Sequence, residues 1–285
     1  MLTVRPTLAR DKLLHRLDLL PPFSPILNRA LASLSQENVC FAEVADLLEK
    51  DTVLAGNVLR VVNSALYGLQ REVNSVRHAI SLAGIHRVRN TVLALSVTRM
   101  WRHPAEAHGW NTVAFSLHSA ATACFSDLLA QLVPVEYPEG AFTAGLFHDL
   151  GKLLVANELP RVYEVLRTMD GREESAILEC ELELAGIHHS ALAAEALERW
   201  KLPPAIREAV RLHHAPGDSS IGPLSLGQVV CTADRCVRAL GLAVAPSAPP
   251  GIPAAQILDQ SGAGAHAERI LDEFRQELDV LREFF

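Results

Sequence analysis

Seven side chains between residues 118 and 234 carry groups that could do chemistry: His118, His148, Asp149, His189, His213, His214 and Asp234. Most of them interrupt apolar runs. His118 follows Val113-Ala114-Phe115-Ser116-Leu117, His148-Asp149 stands between Ala144-Gly145-Leu146-Phe147 and Leu150, and Asp234 follows Val229-Val230-Cys231-Thr232-Ala233. An ionised carboxylate on a buried stripe is costly unless it is paired or coordinated. Two such aspartates and five histidines can satisfy one another around a divalent transition metal. Imidazole nitrogen and carboxylate oxygen without thiolate suit iron or manganese first, with nickel or zinc as alternatives, better than a structural zinc site. A plainer reading stands beside this one. A single histidine on an apolar face is more often a hydrogen-bonded core residue, and His188, with either His213 or His214, could be a surface residue at a helix end, where cations are favoured. The combination is harder to dismiss: His-Asp followed by Gly-Lys, an upstream His, a downstream His-His and a final Asp.

The elements that must hold these residues read as helices. Apolar residues recur at helical spacing over 12–35, 41–48 and 52–65, with Leu20-Pro21-Pro22-Phe23-Ser24-Pro25 separating two stretches and Asp51 at an N-cap position. Ser75 is placed to cap a short helix that Gly84 breaks, and Ile85–Met100 forms the next. A long helix is expected over 111–133, one mostly apolar helix over 141–157 holding His148-Asp149, and further helices over 173–185, 190–200, 203–213 and 224–240. Ile270, Phe274, Leu278 and Leu281 mark a C-terminal amphipathic helix. Asn63-Ser64 ends an apolar helix and reads as structural, because both side chains can bond locally to the backbone. No period-2 run and no hairpin turn argues for a strand. The fold class is all-α.

Composition narrows the function classes. Apolar residues make up 49% of the 285, charged ones 21% and aromatics 5%, and the net charge is −7. That balance argues against a broad basic face for nucleic acid. Residues 42–64 could form a helix-turn-helix, but Glu43, Asp46, Glu49 and Asp51 outnumber Lys50 and Arg60 where a phosphate-facing element should be basic. No apolar run reaches the roughly 20 residues that span a bilayer, so no membrane partner is expected. The first residues lack the apolar core of a secretory signal. Five cysteines with no Cys-x-x-Cys pair suit a reducing cytoplasm.

His118…His148-Asp149…Asp234 resembles the H…HD…D pattern of the HD superfamily of metal-dependent phosphohydrolases. Leu20-Pro21-Pro22, Asp51-Thr52-Val53-Leu54, Leu59-Arg60-Val61-Val62-Asn63-Ser64-Ala65, Ala79-Ile80-Ser81-Leu82, Gly186-Ile187-His188-His189 and Trp200-Lys201-Leu202-Pro203…His213-His214 are similar to motifs of the HDOD domain, in order, over about residues 12–240. The resemblance implies a multi-helix HD-like bundle with an N-terminal helical subdomain: 12–105 for that part and 106–242 for the metal-binding part. Composition marks a Pro-rich linker at 243–253, and the apolar spacing a C-terminal amphipathic helix over 254–285. HDOD domains are regarded as bacterial signalling or regulatory modules, many of which have lost the HD residues that this chain keeps.

Carried over from the related HD-GYP phosphodiesterases, the positions imply two ions. His118, His148, Asp149 and Asp234 would hold one, and Asp149 would bridge to a second held by His189, His213 and His214. Lys152 would face a phosphate, so Asp149 and Lys152 are the candidate catalytic pair. The chain departs from the HD-GYP pattern in two places. Ala114 stands where a carboxylate would add a third ion, and Ala215-Pro216-Gly217 follows His213-His214 in place of a Gly-Tyr-Pro loop. Cyclic-di-GMP hydrolysis is therefore not implied. Two functions remain open: a regulatory module acting through a signalling protein partner or a small phosphorylated ligand, and a phosphohydrolase acting on a nucleotide or phosphate ester. The oligomeric state is left open.

Overall fold

Proline, asparagine and serine divide the chain into short helices, and the expected all-α architecture is the one adopted. A computed structural model describes residues 6–20, 45–46, 48–64, 72–100, 109–169, 172–217, 222–244 and 251–282. The readings at 21–35 and most of 41–48, part of the helix-turn-helix reading at 42–64, and residues 245–250 of the Pro-rich stretch lie outside the described residues. In chain order the helices are α1 Pro6–Leu17, α2 Thr52–Val62, α3 Val76–Ala83, α4 Ile85–Met100, α5 Thr112–Leu132, α6 Ala141–Phe147, α7 Leu150–Glu158, α8 Pro160–Arg167, α9 Glu174–Ala185, α10 His189–Arg199, α11 Pro204–Leu212, α12 Leu226–Ala239, α13 Ala254–Gln260 and α14 Ala267–Arg282. Among the described residues the only β feature is an isolated bridge between Val135 and Leu224.

Local chemistry sets several boundaries. The Asp51 carboxylate accepts from the Val53 and Leu54 amides at the start of α2, and the Asn111 side chain accepts from the Ala114 amide at the start of α5. Ser225 and Gln228 form a reciprocal capping box on α12. Ser75 precedes α3 as expected, but its side chain makes no capping bond. Two helices differ from their sequence reading. The stretch after the Pro-rich segment is divided by Gly262 (φ 81) and a 3-10 turn at Gly264–His266, so the amphipathic helix begins at Ala267. The stretch read as one helix over 141–157 is interrupted at His148-Asp149, between α6 and α7.

The helices gather into two units. One comprises residues 1–21, 103–274 and 285, the other residues 22–102 and 275–284. In the second unit α2, α3 and α4 pack on one another, burying Val58, Val62, Ile80 and Leu93. There the Asn63 side chain substitutes for a piece of backbone: its Nδ2 donates to the Val73 carbonyl at 2.7 Å and its Oδ1 accepts from the Val73 amide at 2.7 Å. Ser64 Oγ donates to the Val61 carbonyl at 2.7 Å, so the pair ends α2 and ties it to the chain before α3.

In the first unit α5 packs against both α6 and α12, and α10 packs against α7 and α11. Helix α5 reaches a mean hydropathy of 1.3 over 18 residues, and most of that window is buried. An apolar perimeter of this kind belongs to a helix surrounded by others. Phe125 meets Phe274 edge-on at 4.9 Å, and both are fully buried. Each such side chain contributes roughly 1.5–3 kcal/mol by leaving water. Gly145 allows a close approach in this core: a Cβ there would lie 2.8 Å from the Thr122 carbonyl oxygen and 2.9 Å from the Ala123 Cα. That approach sets the end of α6, and so His148, against the middle of α5, and so His118.

Replacing Asn63 by Ala would leave the amide and carbonyl of the buried Val73 without their partners. The expected cost is about 2 kcal/mol, read from the urea unfolding midpoint. A loss under about 0.5 kcal/mol would remove the structural role given to Asn63.

Candidate metal centre

His148 and Asp149 are consecutive, and consecutive residues on a continuous helix point about 100° apart and do not face one site. The joint between α6 and α7 removes that restriction. Asp149 takes φ −98°, ψ 8°, outside the helical region, and both side chains enter the same buried cluster. Helix α5 supplies His118, α12 supplies Asp234, His189 opens α10, and His213-His214 follows the last turn of α11. The structure brings together all seven residues singled out from the sequence. His148 is 0% exposed, Asp149 and His213 are 1%, and His118 and His189 are 2%.

Two groups of ligand atoms result, one from His118, His148 and Asp149 and the other from His189, His213 and His214. In the first group the Nε2 atoms of His118 and His148 are 3.2 Å apart. Asp149 Oδ2 lies 3.5 Å from each, and Asp234 Oδ1 lies 3.3 Å from His118 and 3.8 Å from His148. In the second group the Nε2 atoms of His189 and His214 are 2.8 Å apart. Asp149 Oδ1 lies 3.2 Å from His189 Nε2, so one carboxylate touches both groups with different oxygens.

A ring of acceptors fixes the imidazoles from outside. The Nδ1–H of His118 donates to the Leu242 carbonyl, that of His148 to the Gly145 carbonyl, and that of His213 to the Val210 carbonyl, each at 2.7 Å. His189 Nδ1–H donates to Glu181 at 2.7 Å, and the same carboxylate accepts from the His189 amide at 2.9 Å. His214 Nδ1 lies 2.9 Å from Glu174 Oε1. A carbonyl or carboxylate oxygen only accepts, so the proton stays on Nδ1 and each Nε2 lone pair is aimed inward. Lone pairs facing one another at 2.8 and 3.2 Å need a cation to share, either a proton or a metal ion that displaces it. His213 Nε2 and Asp149 Oδ1 are also buried without a hydrogen-bond partner. Nitrogen and oxygen donors in this arrangement fit divalent transition metal, with Nε2 and carboxylate oxygens as the ligand atoms.

The charge balance agrees. Asp149, Asp234, Glu174 and Glu181 face two permanent cations: Lys152, 2.7 Å from Asp149, and Arg238, 3.2 Å from Glu174 and 3.7 Å from Asp234. Burial works against the charged form of His118, but Asp149 and Asp234 outweigh it and raise its pKa to about 9. His189 is likewise opposed by burial and raised to about 9, mainly by Glu181. His213 is held well below the usual histidine value by burial and by neighbouring imidazoles. Burial would raise Asp149, yet the charges of His148 and Lys152 hold it well below the usual carboxylate range. A cavity of about 120 Å³ opens beside the cluster, lined in part by His118, Asp149, Lys152, His189 and His214.

Glu181, Glu174 and Arg238 are site residues that the sequence reading missed. Two signals were present. Glu179, Glu181 and Glu183 alternate along α9, so Glu181 lies on the opposite side from the other two, and it is 3% exposed. Arg238 stands four residues after Asp234, one turn along α12. His188 stays outside the cluster as the N-cap residue of α10. Lys152 reaches back to Asp149 Oδ2 with its side chain about one-third exposed.

An all-helical core enclosing a histidine and aspartate centre defines an HD-type architecture. The family follows from the sequence: residues 20–216 match the HDOD domain, and the chain belongs to that family. A curated relative from Treponema pallidum (strain Nichols), an uncharacterized protein, is 20% identical over 205 residues, covering 70% of this chain and 38% of its own length. The chain thus spans about two-fifths of that relative. Among solved structures, an HDOD protein of unknown function from Geobacter sulfurreducens superposes with TM-score 0.75 at 22% identity, over 96% of this chain and 99% of its own. A protein provisionally named a phosphohydrolase, from Shewanella amazonensis SB2B, gives 0.73 at 24%, over 96% and 98%. One provisionally named a signal transduction protein, from Marinobacter aquaeolei VT8, gives 0.72 at 21%, over 97% and 66%. These likenesses establish the fold.

Glu181→Gln is expected to weaken metal affinity by about tenfold or more, because the carboxylate orients His189 and makes it more basic. Glu179→Gln, on the exposed side of α9, is the control. Equal affinities for the two variants would remove that role from Glu181. The pH dependence follows from His118 and His189, which keep an extra proton up to about 9. A metal must displace those protons, so apparent affinity should rise from pH 6 to pH 9 with proton release, then level off. Competition titrations in buffers of different ionisation enthalpy measure both quantities, and an affinity independent of pH would contradict the assignment.

Proposed function

We propose that this chain is a bacterial signalling or regulatory HDOD module whose cluster holds two divalent transition-metal ions, iron or manganese, and binds a small phosphorylated ligand. The observation that carries this reading is the shared carboxylate. Asp149 Oδ2 lies beside His118 and His148 while its Oδ1 lies beside His189, so the two ligand groups are two halves of one site. His118, His148, Asp149 and Asp234 would hold one ion; Asp149, His189, His213 and His214 would hold the other. Cys124, Cys180, Cys231 and Cys236 form no disulfide, which supports a reducing cytoplasm. The regulatory role draws support from family membership and from the provisional name of the Marinobacter protein.

A second reading, a metal-dependent phosphohydrolase acting on a nucleotide or phosphate ester, is favoured by the cavity opening directly onto the cluster and by Lys152 in its wall. The Shewanella protein's provisional name points the same way. Divalent ions in such a site supply Lewis-acid stabilisation of phosphoryl oxygens. Lys152 adds a point charge at the cavity wall, Glu181 and Glu174 keep His189 and His214 oriented, and the apolar lining limits water. The chain lacks a Gly-Tyr-Pro loop after His214, so that means of positioning a cyclic dinucleotide is missing, and orientation alone can supply roughly 7–11 kcal/mol of barrier reduction.

Elemental analysis of protein purified or reconstituted without oxygen should give about two ions per chain, and Asp149→Ala should release both. Absence of metal after anaerobic reconstitution would end the proposal. On a nucleotide and phosphate-ester panel, turnover should be slow and cyclic-di-GMP a poor substrate. If an ester is turned over, Lys152→Ala should lower the rate and leave metal content intact. Rapid cyclic-di-GMP cleavage abolished by His148→Ala would favour the enzyme instead.

A further inference from the structure

We infer that the cavity beside the cluster is a site for a phosphate monoester carrying a single ring-sized apolar group with an anionic outer edge, and that Arg167 contacts that edge. This rests on the reading that the loaded centre takes a phosphoryl group. The two sides of the cavity differ in chemistry. One is the cluster with Lys152. The other is apolar and comes from α8 and α9, chiefly Tyr163, Leu166, Ile177 and Leu178. A ligand that fills both must be an anion at one end and apolar in its body.

Size favours a ligand whose enclosed part is small. An apolar cavity of about 150 Å³ holds one benzene ring. The enclosed space here is about 120 Å³, smaller than that, so it takes at most one ring, with its phosphoryl end toward the cluster and its outer edge at the solvent opening. A cyclic dinucleotide, with two bases and two sugars, is several times too large to be enclosed there, and a polynucleotide backbone larger still.

The cations assign the outer end. Lys152 is committed to Asp149 at 2.7 Å, and Arg238 to Glu174 at 3.2 Å. Arg167 also lines the cavity, is exposed, and has no carboxylate partner among the described residues. It stands one turn beyond Tyr163 on α8, and its guanidinium lies against Gly109, where a Cβ would come within 3.0 Å of Nε. A planar donor fork held at the solvent end of an apolar slot suits a carboxylate or phosphate on the far edge of the ring.

The test is calorimetric titration of the full chain reconstituted with manganese, using inorganic phosphate, phenyl phosphate, 4-carboxyphenyl phosphate and cyclic-di-GMP as probes. Phenyl phosphate should bind at least about tenfold tighter than inorganic phosphate, from burial of the ring. The carboxylated ester should gain about threefold more, as a partly exposed ion pair does. Cyclic-di-GMP should bind no tighter than phosphate. Arg167→Ala should remove the carboxylate's gain and leave phenyl phosphate unchanged, whereas Ile177→Asn should remove the ring's gain and leave inorganic phosphate unchanged. The wild-type series needs no variant to fold. Equal affinities for phosphate and phenyl phosphate, a carboxylate gain that survives Arg167→Ala, or a preference for cyclic-di-GMP would overturn the inference while leaving the metal-centred reading in place. Failure of the loaded protein to bind inorganic phosphate at all would overturn both.

Discussion

The Asp149 carboxylate is almost wholly removed from water, and its need for partners organises the centre of the molecule. Burying such a charge is tolerable only where cations and donors converge on it. Lys152 reaches it from the next turn, His118 and His148 flank one oxygen, and His189 approaches the other. That last approach depends on Gly151. A Cβ at that position would lie 2.0 Å from the His189 carbonyl oxygen, so α7 and the start of α10 could not come so close with any larger residue. The helix break before Asp149, the glycine two residues after it and the lysine after that belong to one arrangement.

Around this carboxylate the protein keeps its imidazoles in fixed orientation with atoms that no ligand touches. Three backbone carbonyls and two glutamates hold Nδ1 on all five rings. Ligand atoms held by packing and by outer hydrogen bonds need little reorganisation when a cation enters. Several of these constraints sit at helix ends: His189 begins α10, His213-His214 ends α11, and the Leu242 carbonyl lies just beyond α12. Helix ends can offer side chains, and loop carbonyls beside them, in directions that a continuous helix cannot.

The sequence made different parts of this legible for different reasons. Helix α5 could be placed to within a residue because Asn111 caps it, Pro134 follows it and its apolar character is continuous. Six of the seven cluster residues are polar on otherwise apolar helices or at their ends, a contrast that needs no structure to see, and the seventh, His189, was separated from His188 only by resemblance. The break between α6 and α7 was hidden, since residues 141–157 keep helical spacing throughout and tertiary packing decides the joint. Glu181 was readable from the alternation of three glutamates along one helix. The carbonyls of Gly145, Val210 and Leu242 were not, because a backbone acceptor leaves no trace in residue type. The joint at Gly262 carries a recognisable glycine, yet the apolar spacing before and after it invited a longer reading.

The spread of the cluster along the chain has a consequence in polymer terms. Its donors run from residue 118 to residue 234 and come from several helices, and the described cysteines form no covalent link. Ions shared among those donors would act as reversible cross-links closing loops on the order of a hundred residues. In the chain-entropy picture a cross-link of that span restricts the unfolded ensemble by about 4–5 kcal/mol, more than a short-range link would. The same atoms that would meet a ligand would then also do the cross-linking that disulfides do in other proteins.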